Sequence, residues 1–109
     1  FTEAFKALKT AHQRWATGVY ALWYPLKDRA PVARLRERLA ASGMRKVLCA
    51  EFVVYPEDTA FRLNGCGLVI VNPPWKLDET LRVLLPRLLA ALEPEQSRGR
   101  TAVSWLVPE

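Results

Sequence analysis

The segment that decides the fold is Gly67-Leu68-Val69-Ile70-Val71-Asn72-Pro73-Pro74-Trp75, an apolar run that stops at two prolines. The run has the length of a strand and lacks polar alternation, and proline cannot continue a strand in the middle of a sheet. Two similar runs precede it, Val19–Tyr24 before Pro25 and Val47–Tyr55 before Pro56. Because Val19–Tyr24 is apolar throughout, it predicts a central strand that is covered on both faces.

Three helical segments accompany these strands. Residues 1–15 and Leu77–Leu92 carry apolar side chains at spacings of three and four, and Pro86 is expected to kink the second of them. Residues 28–42 form a helix with an aliphatic buried stripe and an arginine-rich outer face. The stripe is Val32, Leu35 and Leu39, and the predicted outer face is Arg34, Arg36 and Arg38.

The order of the predicted elements indicates a layered α/β fold. With a last strand at Thr101–Val107, the order is helix, strand, helix, strand, strand, helix, strand. The polar segments 56–65 and 93–100 are expected to be connections within one unit. We therefore expect residues 1–109 to lack an internal domain boundary.

Composition excludes several classes of protein. The 109 residues are 50% hydrophobic and 25% charged, which is typical of a globular domain. No apolar run approaches the ~20 residues of a membrane helix, and no basic-then-apolar leader is visible, so we expect no membrane partner. A single histidine, His12, argues against a zinc site, and we expect no metal. Gly65-Cys66-Gly67 precedes a strand and so is not a dinucleotide fingerprint.

The charge balance favours a partner that carries phosphate. Lys and Arg number 16 against 11 Asp and Glu, which gives a formal charge of +5. Tyr24 lies close to Lys27 and Arg29, and aromatic rings beside cations suit RNA, whose bases stack and whose phosphates attract positive charge.

The tetrapeptide Asn72-Pro73-Pro74-Trp75 has the residue types of an amine-methylating active site. In such enzymes an acidic or amide side chain and a proline carbonyl accept hydrogen bonds from the exocyclic amine of adenine, and an aromatic ring stacks on the flipped base. The alternative is structural: the prolines end a strand, and Trp75 packs under the next helix.

Four blocks in order resemble the RlmJ family of bacterial methyltransferases, which modify the adenine N6 of large-subunit ribosomal RNA with S-adenosylmethionine. The blocks are Thr17–Pro25, Gly43–Leu48, Gly67–Leu77 and Ala102–Glu109. The resemblance covers only the C-terminal part of that family. It implies that the S-adenosylmethionine site and the family's Asp-Pro-Pro-Tyr motif belong mainly to a part that precedes Phe1.

The resemblance also implies a fold and a set of site residues. The fold would be the C-terminal portion of a Rossmann-like class I methyltransferase sheet, with Val19–Tyr24 as its fifth strand, Val47–Tyr55 as its sixth and Gly67–Val71 as its reversed seventh. Chemistry in such sheets occurs at the carboxyl ends of the parallel strands. The substrate or RNA-binding candidates near that edge are Trp23, Tyr24, Lys27, Arg29 and Arg62. The reversed strand would place Asn72, Pro73, Pro74 and Trp75 at the far edge, so no catalytic residue is expected in this chain.

Three functional hypotheses follow. The first is part of a cytoplasmic ribosomal RNA adenine-N6-methyltransferase that is inactive as this chain alone. The second is a small basic α/β module that binds RNA or protein without catalysis. The third places catalysis at the Asn72 tetrapeptide. The resemblance also implies an open sheet edge and open apolar faces, through which the chain could form a homodimer.

Overall fold

A computed structural model describes residues 1–54, 64–92 and 99–108. Within these ranges the order of helices and strands is the predicted one. Tyr55, Arg62 and most of the two predicted connections lie outside the described residues. The elements are α1 (Thr2–Arg14), β1 (Tyr20–Leu26), α2 (Arg29–Ala40), β2 (Val47–Val53), β3 (Gly65–Val71), α3 (Leu77–Leu92) and β4 (Arg100–Val107).

The strands form one sheet in the order β1-β3-β2-β4, and each neighbouring pair is antiparallel. Since β3 is antiparallel to both of its neighbours, β1 and β2 run parallel to each other. The register places Tyr24 and Glu51 on either side of Gly67, and Ala102 follows Glu51 in the same row.

The main core lies between the sheet and the layer formed by α1 and α2. Val32, Leu35 and Leu39 are buried, which confirms the predicted stripe of α2. Side chains alternate along a strand, so every second residue of β1, β2 and β3 points to this layer. The core cluster is Leu8, Tyr24, Leu26, Val32, Leu35, Leu39, Met44, Val47, Cys49, Val53, Val69 and Val71.

The other face of the sheet is only partly covered. Helix α3 packs against β4 and β2, and Trp23 on β1 remains 55% exposed. The prediction of a central first strand covered on both faces is therefore wrong for this chain: β1 is an edge strand with one open face. The strand also runs through Pro25, which an edge strand tolerates because one of its sides makes no ladder hydrogen bonds.

Helix α3 is likewise only half covered. Leu89 is buried, and the helix continues through Pro86. Four large apolar side chains of α3 are exposed: Val83, Leu84, Leu88 and Leu92. Together with Trp23, they give this face an open apolar surface.

A close approach at the centre of the sheet fixes one glycine. The ring of Tyr24 lies across β3 above Gly67, and a Cβ atom on Gly67 would lie 2.1 Å from the Tyr24 ring. Because Tyr24 is fully buried, its ring has no open space into which to move. Only glycine fits at this position.

We expect Gly67→Ala to lower the free energy of unfolding of the chain by about 2 kcal/mol, the usual cost of overpacking a core. Urea unfolding followed by circular dichroism measures the loss. The neighbouring Cys66→Ala is the control, because Cys66 lies on the opposite face of β3, and we expect a smaller change there. Equal urea midpoints for Gly67→Ala and wild type would contradict the close approach of Tyr24.

Candidate functional site

A buried carboxylate lies at the centre of a polar group beneath α2. Glu51 on β2 is 3% exposed, although the strand around it is apolar. An ionised carboxylate in such a place needs hydrogen bonds and opposite charges, because burial removes its hydration. We call the side chains that meet there the Glu51 cluster: Tyr24, Arg29, Arg36, Cys49, Glu51 and Arg100.

Helix α2 supplies two of the arginines. Arg29 reaches Glu51 with both terminal nitrogens, Nη1 to either carboxylate oxygen and Nη2 to Oε1, each at 3.3 Å. Arg36 lies seven residues, or about two helical turns, further on, with its Nη1 atom 3.7 Å from Oε2. The prediction that Arg36 covers the outer face is wrong, because its side chain points to the sheet. Arg34 and Arg38 are exposed.

Strand β4 supplies the third arginine. Arg100 pairs with Val53 in the register, so its side chain lies on the same face of the sheet as Glu51. Its Nη1 atom is 3.9 Å from Oε1 of Glu51. Sequence reasoning did not identify Glu51 or Arg100. An acidic residue inside an apolar strand was the available signal for Glu51, since a buried charge requires a partner.

The hydroxyl of Tyr24 orients the carboxylate. It lies 2.6 Å from Oε2 of Glu51 and 3.1 Å from Sγ of Cys49. The single phenolic proton is donated to the carboxylate, so the thiol of Cys49 donates to the phenol oxygen. Burial raises the pKa of Tyr24 far above its ordinary value, and the hydrogen bonds to Cys49 and Glu51 raise it further. Burial also raises the pKa of the Cys49 thiol, although Tyr24 and Arg36 oppose this rise.

The predicted RNA-binding candidates differ in their exposure. Lys27 is exposed at the carboxyl end of β1, and Arg29 begins α2 two residues later. Trp23 is exposed on the open face of β1, whereas the ring of Tyr24 is fully buried and holds Glu51 instead of facing solvent. Arg62 lies outside the described residues.

The Asn72 tetrapeptide lies at the end of the sheet where β3 stops, which is opposite to the end where β1 and β2 stop. Asn72 follows β3 and is five residues, or about 16 Å, from Gly67 in the row of Glu51. Its backbone is left-handed with φ 55°, and its amide nitrogen donates to the carbonyls of Ala16 and Gly18 at 2.8 and 2.9 Å. Both amide protons therefore hold the connection between α1 and β1.

Trp75 does not pack under the next helix, so that part of the structural alternative is wrong. The side chain is 87% exposed, and the ammonium group of Lys76 lies 4.5 Å from the ring centroid. The backbone is left-handed at Asn72 and again at Lys76, with φ 62°, so the chain turns sharply on both sides of Trp75. This turn leaves the indole outside the core.

The carboxyl end of β1 is filled by side chains, and two cavities lie beside α1. At the carboxyl end of β1, the ring of Tyr24 fills the space above Gly67, and Arg29 folds back onto Glu51. A cavity between α1 and α2, lined by Phe1, Thr2, Pro31, Arg34, Leu35 and Arg38, holds about 70 Å³. A wider cavity of about 520 Å³ is lined by Lys6, Ala7, Thr10, Ala11 and Arg14 of α1.

Within residues 1–54, 64–92 and 99–108, no three His, Cys, Asp or Glu side chains come together as a metal site. No helix in that part of the chain is long and apolar enough to span a bilayer.

Comparison with known proteins identifies the family. Residues 1–107 match the family model described as Ribosomal RNA large subunit methyltransferase D, RlmJ. The chain belongs to the RlmJ family. It is 41% identical over 98 residues to Ribosomal RNA large subunit methyltransferase J of Escherichia coli (strain K12), and 38% identical over 104 residues to the protein of the same name in Haemophilus influenzae.

The RlmJ-family chain spans about a third of the length of these relatives. The matches cover 90% and 95% of this chain but 35% and 37% of the relatives. A crystal structure of a Legionella pneumophila protein superimposes with a TM-score of 0.80 at 24% identity, over 93% of this chain and 36% of that one. This likeness supports the fold. The comparisons do not support the homodimer expected from the open sheet edge.

We expect Asn72→Ala to lower the free energy of unfolding of this RlmJ-family chain by about 2 kcal/mol. The substitution removes two hydrogen bonds. It also leaves alanine, which has no side-chain hydrogen bond, in a left-handed backbone conformation. Asn72→Gly is the matched variant: it also loses the bonds but relieves the backbone, so the expected loss is about 1 kcal/mol. Urea midpoints test the order. A loss that is no smaller for glycine than for alanine would contradict this account of the turn.

We expect Cys49 to react with a thiol-specific disulfide reagent about a hundredfold more slowly than Cys66 at pH 7.5, because Cys49 is buried and its pKa is raised. The rate at which the reagent releases its thiolate gives the reaction rates of the two cysteines in the native chain. Cys66→Ser should abolish the fast phase, and Cys49→Ser should leave it unchanged. A fast phase that persists in Cys66→Ser would show that Cys49 is accessible.

Proposed function

We propose that this chain is the C-terminal part of a longer methyltransferase that acts on the adenine N6 of large-subunit ribosomal RNA. One observation carries the proposal: nearly the whole chain matches about a third of relatives that are named Ribosomal RNA large subunit methyltransferase J. The adenine N6 comes from the family resemblance of the sequence blocks. Since ribosomal RNA is made and assembled in the bacterial cytoplasm, the protein would act there.

In this proposal β1, β2 and β3 are the fifth, sixth and reversed seventh strands of a class I methyltransferase sheet, and residues 1–109 are one part of that domain. The sheet order supports this assignment, because β3 runs antiparallel between the two parallel strands β1 and β2. The open edge and open face of β1 also support it. Exposed Trp23 and Leu68 lie where a preceding strand and its helices would cover the sheet.

S-adenosylmethionine would bind mainly to the part that precedes this chain, and it would supply the methyl group to the adenine nitrogen. The side chains that fill the carboxyl end of β1 support this division. Asn72 would have a structural role, because its amide protons already bind Ala16 and Gly18. This chain alone would then be inactive, with no catalytic residue of its own.

The chain would contribute RNA contacts at the edge where β1 ends. Lys27 and Arg29 lie there with exposed surface, and cations of this kind contact phosphate. Arg62 would join them, and Trp23 would lie near the rim of the base pocket. The buried Tyr24 would not contact RNA directly, and its hydroxyl would instead orient the carboxylate of Glu51.

The test is methyl transfer by the complete protein that carries this chain. Unmodified large-subunit ribosomal RNA is incubated with S-adenosylmethionine, and nucleosides are analysed by mass spectrometry. We expect N6-methyladenosine from the complete protein and none from residues 1–109 alone. Methyl transfer by residues 1–109 alone would contradict the assignment of catalysis to the preceding part of the protein. Absence of methyl transfer by the complete protein would contradict the proposed function and favour a binding module.

We expect Lys27→Ala in the complete protein to weaken binding of a ribosomal RNA hairpin several-fold and to reduce the salt slope by about 0.7 to 0.9, since one phosphate contact is lost. Filter binding at three salt concentrations measures both. Lys9→Ala is the matched control, because it removes the same charge from an exposed position on α1. Equal salt slopes for wild type and both variants would show that Lys27 does not contact RNA.

A further inference from the structure

We propose that a helix from the part of the protein that precedes this chain packs into an apolar groove between α3 and the open face of β1 and β3. This inference rests on the proposed function, since it assumes that residues 1–109 are one part of a longer methyltransferase. It goes further, because it assigns Leu84 and Leu88 of α3 to the contact and states what kind of segment occupies the groove.

The floor of the groove is the face of β1 and β3 that points away from α1 and α2. Side chains alternate along a strand, so Trp23 and Leu68 lie on the face opposite to the buried Tyr24. Trp23 pairs with Leu68 in the register, and the two residues are 55% and 38% exposed. Two large apolar side chains on neighbouring strands therefore form one open patch.

One flank of α3 is the wall of the groove. Nη2 of Arg82 lies 3.5 Å from the carbonyl oxygen of Val103, which places that flank of the helix over the edge strand β4. Leu84 lies about 200° around the helix from Arg82, and Leu88 lies about one turn beyond Leu84. The two leucines therefore point the other way, toward β3 and β1, and they are 51% and 44% exposed.

The groove has the width of one helix. Helix α3 packs over β2 and β4, so the open strip above β1 and β3 lies two strand spacings to its side. Neighbouring strands are ~4.8 Å apart, which makes this displacement about 10 Å. Packed helices have their axes about 8 to 10 Å apart, so a second helix beside α3 would lie directly over Trp23 and Leu68.

The side chains that line the groove call for an apolar occupant. They are Ala21 and Trp23 of β1, Leu68 and Ile70 of β3, and Leu84 and Leu88 of α3. RNA would bring phosphate charge to a lining in which none of these six side chains is a cation. The apolar stripe of an amphipathic helix would instead remove all of them from water.

The length of the relatives favours a helix of the same polypeptide. This chain matches 35% and 37% of the two methyltransferases named above, so nearly two-thirds of each lies outside the match. In the proposed function that remainder precedes Phe1. A segment of the same polypeptide is kept near the groove by the chain itself, whereas a second copy would lose translational freedom on binding.

The first test measures cysteine reactivity at single positions of α3 in the complete protein. Leu84→Cys and the matched control Val83→Cys are treated with a maleimide, and the labelled peptides are quantified by mass spectrometry. Val83 is 57% exposed and lies about 100° from Leu84 around the helix, further from the groove. Leu88→Cys replaces Leu84→Cys if the latter fails to fold by circular dichroism.

We expect Leu84→Cys to react at least fivefold more slowly than Val83→Cys, at every protein concentration and without RNA. A ratio below fivefold would overturn the proposal. Protection of Leu84→Cys that appears only at high protein concentration would assign the groove to a second copy, and protection that appears only with a ribosomal RNA hairpin would assign it to RNA. Either result would also overturn the proposal.

The second test identifies the occupant by photo-crosslinking. The aromatic crosslinker p-benzoylphenylalanine replaces Trp23 in the complete protein, and the crosslinked peptides are identified by mass spectrometry. We expect a crosslink to a segment that precedes residue 1 of the same molecule. Absence of that segment from the crosslinked peptides would overturn the proposal.

Methyl transfer to ribosomal RNA by the wild-type protein is measured in parallel. Its absence would show that the proposed function has failed. Normal methyl transfer, together with equal reaction rates for Leu84→Cys and Val83→Cys, would show that only this inference has failed.

Discussion

The rest of the structure depends on the need to neutralise one buried carboxylate. Glu51 lies within the apolar strand β2, and its burial without partners would cost several kcal/mol. Tyr24 must cross β3 to reach it, which requires glycine at position 67. Arg29 and Arg36 must also reach it, and they orient α2 on the sheet. A single charge thereby links β1, β2, β3 and α2.

The reversed direction of β3 places its carboxyl end opposite the carboxyl ends of β1 and β2. At one edge β1 and β2 end, and the Glu51 cluster and Lys27 lie there. At the other edge β3 ends, and Asn72 uses its amide to hold the start of β1. A motif with the residue types of a methyltransferase site therefore occurs at the edge away from the cluster, where its hydrogen bonds are structural. The direction of the strand decides how such a tetrapeptide is interpreted.

The sequence predicted the order of the elements because apolar runs, prolines and helical spacing are local signals. The sequence-based predictions were wrong where contacts between distant parts of the chain determine the burial of a residue. An apolar first strand predicted cover on both faces, yet α3 packs on β2 and β4 and leaves Trp23 open. Arg36 was placed outside although Val32 and Leu39 lie on its own helical stripe, a spacing that pointed inward. The exposure of Trp75 depends on two left-handed residues that no sequence pattern here specified.

The central claim is the proposed contact of RNA with the edge of the sheet where β1 ends and α2 begins. Hydrogen–deuterium exchange of the complete protein, with and without a ribosomal RNA hairpin, tests it most directly. The account predicts that RNA slows exchange at residues 27–36 and that exchange around Asn72 and Trp75 is unchanged. Slowed exchange confined to the Asn72 edge, with none at residues 27–36, would contradict it.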